Sequence, residues 1–177
     1  LLTSSKIRRV KMFNPTRCEI PPKHKTWFNP LDAPFNAKFD AKRTDPNNAN
    51  SYVGTDDTSA IQACFDAAKR IAENSRGSSG PGATVFLPPG AALVNNLVLD
   101  CGRVQIIGYG TTLVSAAVQP DGPRKYLLTI KGDEVPDGSE AGHSHGNKLV
   151  GVSFVGRGHA RVGGLMMNAV SHMHTDL

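Results

Sequence analysis

The fold of this chain is decided by two segments, Gly54-Thr-Asp-Asp-Thr-Ser-Ala-Ile-Gln62 and, about twenty residues later, Ala83-Thr-Val-Phe-Leu-Pro-Pro-Gly90. The first predicts the acidic start of an amphipathic helix, and the second a short apolar strand that ends in a tight Pro-Gly corner. Strand-sized apolar fragments then recur to the end of the chain. One helix followed by evenly spaced short strands is typical of a helix that covers the first coil of a β-solenoid.

The helix is predicted from its apolar face. The residues with the i, i+3, i+4, i+7 and i+11 spacing of one helical face are Ile61, Cys64, Phe65, Ala68 and Ala72. We expect the helix to end near Asn74 and Gly77, and the Gly- and Ser-rich segment 76–82 to be a loop.

The start of the helix is predicted from its polar residues. Asp56, Asp57 and Thr58 are expected to accept hydrogen bonds from the unpaired N–H groups of the first turn. Ser59 and Gln62 have capping-box spacing, which would place the start two residues later. The functional alternative is that Asp56 and Asp57 form a catalytic carboxylate pair. Adjacent acids in front of an apolar helix are more often caps, so we favour the structural interpretation.

Short apolar runs predict the strands that follow. They lie at 85–87, 97–99, 104–107, 113–114, 127–130, 149–154 and 165–167. Four runs begin at Val85, Val104, Leu127 and Leu149, at separations of 19, 23 and 22 residues, and we expect one coil of a solenoid per interval. Residues able to make sharp corners separate the runs, at 88–90, 95–96, 101–102, 108–110 and 156–158.

The spacing alone leaves two architectures open. No helical pattern intervenes between the strands, which argues against alternating β/α units. A two-sheet sandwich, however, also fits short strands at this spacing.

The choice between them comes from a resemblance. The segments 54–62, 84–90, 97–100 and 104–110 together resemble the opening of the pectate-lyase-like right-handed β-helix superfamily. There a helix after an Asp-Asp-Thr-x-Ala-Ile-Gln signature covers the first coil, and a V-x-L-P-x-G pattern is the first strand and its corner. The resemblance runs from about Phe35 to Phe154. It implies an all-β fold, a right-handed parallel β-helix with one N-terminal capping α-helix.

Within that superfamily the combination most resembles bacteriophage tailspikes, many of which are capsule or lipopolysaccharide depolymerases. Two features depart from the pattern: segment 35–42 matches the usual strand before the signature only loosely, and Ala91-Ala92 replace the common aromatic after the corner glycine.

The resemblance implies a homotrimer in the extracellular virion tail, with host capsular polysaccharide or lipopolysaccharide and other tail or baseplate proteins as its partners. In the resembling families the catalytic acids usually lie on later coils. The catalytic residues are therefore unknown, and a polysaccharide lyase or glycoside hydrolase would have its active site outside this segment.

Charge divides the chain into two parts. Residues 1–50 carry 10 Lys and Arg against 4 Asp and Glu, a net charge of +6, whereas residues 51–177 carry 10 against 11, a net charge of −1. We predict an extended basic, proline-containing arm over residues 1–34 and the capping helix with the first coils over residues 35–177. The arm is expected to dock on an acidic partner with Trp27 as its anchor. A solvated tail and a nucleic-acid-binding segment are the alternatives, and the second lacks any recognition motif or stacking platform.

The ends of the chain suggest a fragment of a longer protein. It starts at Leu1 without methionine, and no polar cap follows Leu165. An incomplete solenoid would leave backbone groups of its last coil unpaired.

Histidines and acids offer the candidate chemistry. His172, His174 and Asp176 alternate, which places them on one face of a strand and could hold a metal ion. His143 and His145 lie in an acidic, Gly-rich loop, and the acids before them that could run hydrolysis or β-elimination are Asp133, Glu134, Asp137 and Glu140. Polar side chains on a solenoid wall and a solvated acidic loop are the commoner explanations, so we predict neither a metal site nor a cofactor.

Three cysteines, Cys18, Cys64 and Cys101, form neither a disulfide framework nor a zinc pattern, and Cys64 is expected to be a small buried apolar residue. The sequence shows neither a signal peptide nor an apolar run of membrane-spanning length.

Three functions remain open at this point. The first is a polysaccharide-degrading enzyme of a phage tail, and the second is a purely structural virion module that presents a β-helix without catalysis. The third is a secreted bacterial pectate-lyase-like or glycoside-hydrolase enzyme, which would not need the basic arm.

Overall fold

The structure is a computed structural model, and it describes residues 26–48, 50–74, 82–116, 123–132, 144–159, 161–168, 170–171 and 173–176. These residues form one helix, α1 (Thr58–Asn74), and a series of strands. The strands are β1 (Trp27–Phe28), β2 (Lys42–Arg43), β3 (Tyr52–Val53), β4 (Ala83–Leu87), β5 (Gly90–Val94), β6 (Leu97–Leu99), β7 (Val104–Ser115), β8 (Lys125–Lys131), β9 (Ser144–His145), β10 (Lys148–Val155), β11 (Val162–Asn168), β12 (Val170–Ser171) and β13 (His174–Asp176).

The strands form two main parallel sheets. The first sheet has the order β1-β4-β7-β10-β13, with β5 paired to the second half of β7, and the second sheet has the order β11-β8-β6. A further parallel pair joins β9 to β12, whereas β2 and β3 form an antiparallel hairpin. A sandwich of antiparallel layers is therefore excluded over the described residues, and the fold is mostly β with parallel sheets and one helix.

Each coil of the chain contributes to both sheets in turn. In the first sheet Val85 pairs with Ile106, Ile106 with Leu149, and Leu149 with Thr175. These steps span 21, 43 and 26 positions. The predicted regular interval is therefore wrong at Leu127, which lies in the second sheet on the same coil as β7. The apolar runs mark strands rather than coils. Residues 116–124 connect β7 to β8 and residues 132–147 lie between β8 and β10, so both lengthen the single coil from β7 to β10.

The core lies between the two sheets and under the helix. Side chains of one column of the first sheet, Val85, Ile106 and Leu149, face Leu97 and Leu128 of the second sheet, and all five are fully buried. The predicted apolar face of α1 is confirmed, because its five residues are at most 2% exposed. Cys64 is among them and is a buried free thiol, as expected, and Cys101 is also buried.

The start of α1 differs from the prediction in what its acids bind. Asp56 accepts a hydrogen bond from the N–H of Thr58 at 2.9 Å, as a cap does. The side chain of Asp57 instead accepts hydrogen bonds from the N–H groups of Lys38 and Phe39, at 2.7 and 2.8 Å, and is 2% exposed. It therefore holds the incoming chain against the helix, and its backbone carbonyl starts the helical ladder by accepting from Ile61.

The capping box predicted for Ser59 and Gln62 is wrong. The helix begins at Thr58, and the amide of Gln62 binds the edge of β6 in both directions, donating to the carbonyl of Val98 and accepting from its N–H at 2.9 Å each. The hydroxyl of Thr58 accepts from the N–H of Asn95 at 2.8 Å. Side chains of α1 thus provide the hydrogen bonds that a neighbouring strand would give to β6.

Two residues of the predicted arm belong to the first sheet. Trp27 and Phe28, which we assigned to the arm, form β1 and pair with Thr84 and Val85 of β4. Residues 1–25 lie outside the described residues, and so does Cys18.

The segment between β1 and α1 forms hydrogen bonds with the edge of β5 that does not pair with β7. Ala41 donates from its backbone to Ala91, and Asp57 donates from its backbone to Leu93. A small second apolar cluster lies beneath this segment and contains Ala41, Leu93 and Val114.

Candidate functional site

The outer face of the first sheet carries two columns of side chains that run across the coils. The register places one residue of each strand in the column that we call the polar column, which consists of Trp27, Thr84, Gln105, Lys148 and His174. The second column consists of Phe86, Ile107, Val150 and Asp176. In-register parallel strands keep such residues on one face, about 4.8 Å apart from strand to strand.

Three aromatic residues form a cluster at one end of this face. The rings of Trp27 and Phe86 meet edge to face with their centroids 5.4 Å apart, and Phe86 and Tyr109 stack at 6.3 Å with an interplanar angle of 14°. Trp27 is 37% exposed and Tyr109 is 55% exposed. We call these three residues the aromatic cluster.

Tyr109 reaches the surface because of a bulge in β7. Ile107 and Thr111 pair with Val150 and Val152, so three residues of β7 lie opposite Gly151 alone. Gly110 takes a φ of 75°, which a glycine adopts without strain, and it lets the strand resume its pairing. Tyr109 is left outside the ladder beside the Pro88–Pro89 corner.

The opposite end of the outer face is polar and charged. Lys148 is half-buried in the wall, and His174 is exposed and lies in register with it on the next strand. Asp176 follows on the same side of β13, in register with Val150. An amine, an imidazole and a carboxylate therefore share one surface with the aromatic cluster.

The predicted alternation of His174 and Asp176 on one strand face is confirmed, because both flank Thr175 in β13. His172 lies outside the described residues. Within the part of the chain that the structure describes, no group of three potential metal ligands comes together.

The candidates predicted in the acidic loop lie outside the described residues, namely Asp133, Glu134, Asp137, Glu140, His143 and the side chain of His145. The catalytic alternative for Asp56 and Asp57 is wrong, because one carboxylate caps the helix and the other is buried on backbone N–H groups.

Sequence reasoning missed a serine–histidine pair. Ser115 Oγ lies 3.0 Å from Nδ1 of His159, and the guanidinium of Arg157 donates to the Ser115 carbonyl at 3.2 Å. Ser115 is 1% exposed, so the pair fastens the loop after β10 to the end of β7 rather than presenting a nucleophile. No local pattern could have indicated it, because the partners are 44 residues apart.

Over the described residues, α1 is too short and too polar to cross a bilayer, and the chain offers no longer helix there.

Comparisons with known proteins support the fold. A scan of family models found none that matches the chain, and a search of curated proteins found no match either. Among solved structures, the chain is similar to a 1,3-alpha-1,4-beta-D-galactose-4-sulfate-3,6-anhydro-D-galactose-2-sulfate 4 galactohydrolase, with a TM-score of 0.55 and 15% identity over 88% of this chain and 30% of that one. It is also similar to an iota-carrageenase of family GH82 from A. fortis, with a TM-score of 0.55 and 14% identity over 88% of this chain and 28% of that one.

The chain spans less than a third of the length of either structure. At this identity the likeness concerns the fold alone. The mostly β fold of this chain, with its parallel sheets and one helix, matches the β-helix fold of those two enzymes.

Proposed function

We propose that this chain is part of a right-handed β-helix that binds polysaccharide along the outer face of its first sheet. The observation that carries the proposal is the aromatic cluster, which exposes ring surface on a wall whose other side chains are polar, charged or aliphatic. Exposed aromatic side chains combine a flat apolar surface with a polar handle and are typical of recognition surfaces. Pyranose rings present C–H groups that pack on such surfaces.

The geometry of the face suits a polymer rather than a small molecule. The polar column has five residues on successive strands, so it extends for about 19 Å along the solenoid axis. The length that one pyranose residue adds to such a polymer is close to the distance between neighbouring strands of the sheet, ~4.8 Å. An extended glycan that lies across the coils would therefore meet one equivalent position of the wall for each of its sugars.

The test is the loss of binding when ring surface is removed. Trp27→Ala and Tyr109→Ala are each expected to weaken binding of a soluble polysaccharide by about tenfold, which corresponds to ~1.4 kcal/mol. Affinity electrophoresis against iota-carrageenan, polygalacturonate and bacterial capsular polysaccharides measures the effect. Tyr109→Phe keeps the ring and should bind as the parent does.

Val53→Ala is the matched surface control, because Val53 is 56% exposed in the hairpin and outside the outer face. If the alanine variants at 27 and 109 bind every polysaccharide as tightly as the parent, the proposal fails. For any polymer that the parent binds, new reducing ends indicate a hydrolase, the absorbance of unsaturated uronates indicates a lyase, and neither signal indicates a binder without turnover.

We extend the proposal to the biological setting that the sequence resemblance suggests. The chain would belong to a homotrimeric tailspike or tail fibre of a phage virion, with residues 1–25 attached to other tail or baseplate proteins and host capsular polysaccharide or lipopolysaccharide as the ligand. The basic charge of the N-terminal residues supports the attachment. Light scattering of the full-length protein tests the trimer, since a monomer mass in dilute solution would contradict it.

A further inference from the structure

We infer that the polysaccharide bound on the outer face is anionic, and that its carboxylate or sulfate groups bind at Lys148 and His174. The inference rests on the proposed function, because it uses the same face. It adds the chemical class of the ligand, which the aromatic cluster by itself leaves open.

The two side chains lie next to each other on the outer face. Lys148 and His174 are neighbours in the polar column, in register on β10 and β13. They follow Gln105 of β7, and Trp27 stands at the far end of the same column. A glycan whose rings lie over the aromatic cluster on the first coils would therefore place its next sugars over Lys148 and His174, about 10 to 15 Å along the axis.

The ammonium group of Lys148 forms no ion pair with a described side chain. Both ion pairs between described side chains belong to Lys69, which binds Asp100 at 2.8 Å and Glu73 at 3.8 Å. Lys148 thus has no carboxylate partner within that part of the chain, although its stem is half-buried in the wall. An ammonium group held in this way is available to an anionic ligand, and it loses less side-chain entropy on binding than a fully mobile one.

One carboxylate and two uncharged polar side chains lie near Lys148 and His174 on the same face. The titratable group nearest along β13 is Asp176, which lies on the same face but in register with Val150 rather than Lys148. Gln105 and Thr84 are uncharged and can donate to sugar hydroxyls. The polar column therefore carries a positive charge at Lys148, and Asp176 in the second column can accept hydrogen bonds from sugar hydroxyl groups.

The experiment compares matched polymers that differ only in their anionic groups. Iota-carrageenan is measured against its chemically desulfated form, and polygalacturonate against its methyl ester, by affinity electrophoresis at two salt concentrations. We expect at least one of the two anionic polymers to bind about tenfold more tightly than its neutral counterpart. Its affinity should fall as salt is raised.

Lys148→Gln should remove most of that preference and reduce the salt dependence, and His174→Gln should weaken it further. Lys125→Gln is the matched control, because it removes the same charge from an exposed lysine of the second sheet. It should leave the preference unchanged.

The outcomes separate this inference from the proposed function. If anionic and neutral forms bind equally and Trp27→Ala still weakens binding about tenfold, the inference is overturned and the proposed function stands. If Lys125→Gln has the same effect as Lys148→Gln, the preference reflects net charge, and the site at Lys148 is also overturned. If no polymer binds, or Trp27→Ala changes nothing, the proposed function fails and the inference fails with it.

Discussion

Single carboxylates fix the path of the chain before the helix. Asp57 binds two backbone N–H groups of the segment 38–39, and Asp40 accepts hydrogen bonds from the N–H and hydroxyl of Thr55 at 2.8 and 2.9 Å. The sequence predicted that Asp57 lies at the helix start but not what it binds. Capping preferences describe a residue and its own helix, whereas these partners lie 15 to 19 residues away.

A pH prediction follows at Asp40. The N–H of Thr55, and then its hydroxyl, hold the pKa of the Asp40 carboxyl below its ordinary value of 3.8. Because the folded-state pKa is lowered, the interaction stabilises the fold above pH 3.8 and is lost as the pH falls through that lower pKa. Thr55→Ala keeps the N–H and removes the hydroxyl, so we expect the pKa of Asp40 to rise part of the way towards 3.8.

Carboxyl-carbon NMR titration measures this change. Thr44→Ala removes another exposed hydroxyl, one that donates to the Ser51 carbonyl, and it should leave the titration of Asp40 unchanged. An unaltered Asp40 titration in Thr55→Ala would show that the hydroxyl does not contribute.

At the scale of elements, α1 takes the place of a further strand at the β6 edge of the second sheet. Its apolar face was predicted correctly because a helical period is a local property of the sequence. The role of Gln62 was not predicted, since its partner Val98 is 36 residues further along the chain. Strand β5 was missed as well, because Gly90 and two alanines resemble a corner more than a strand.

Removing the Gln62 amide should destabilise the protein through β6. Gln62→Leu would leave the N–H and carbonyl of Val98 without their partners, at a cost of about 1–3 kcal/mol. Urea unfolding measures the free energy, and hydrogen exchange should show faster exchange of the Val98 amide. Gln105→Leu is the same substitution at an exposed site and is expected to change the free energy of unfolding by less than about 0.5 kcal/mol. Equal stabilities of the two variants would contradict the role given to Gln62.

At the scale of the whole molecule, the strands could be predicted but their assignment to coils could not. Apolar runs mark strands, yet the length of each connection decides which strands become neighbours. Leu127 illustrates this, because its run begins at the expected interval but belongs to the second sheet. The aromatic cluster depends on the same register. The sequence predicted Trp27 as the anchor of the arm, whereas its contact with Phe86 requires β1 to pair with β4.

Close approach of two coils gives a prediction at Gly151. A Cβ built on Gly151 would lie 2.3 Å from the carbonyl oxygen of Gly108, and the φ of Gly151 is 66°. Gly151→Ala therefore combines backbone strain with a backbone clash, and we expect it to lower the free energy of unfolding by about 2–4 kcal/mol.

Gly110→Ala separates the two causes. Gly110 has a φ of 75°, but nothing lies within 4 Å of its added Cβ. It should cost only the strain of the left-handed conformation, about 1–2 kcal/mol. If both variants lose the same stability in urea unfolding, the coils can move apart at Gly151 and the clash has no effect.

The amide of Gln62 also bears on how these molecules meet one another. An unprotected β-edge can template strands from a second chain and so polymerise. Here the edge of β6 is occupied by a side chain of the same molecule, and that of β5 by the backbone at Ala41 and Asp57. Copies of the protein therefore cannot add end to end through β5 or β6 unless the helix first detaches, which protects a repetitive fold from growing into fibres in that direction.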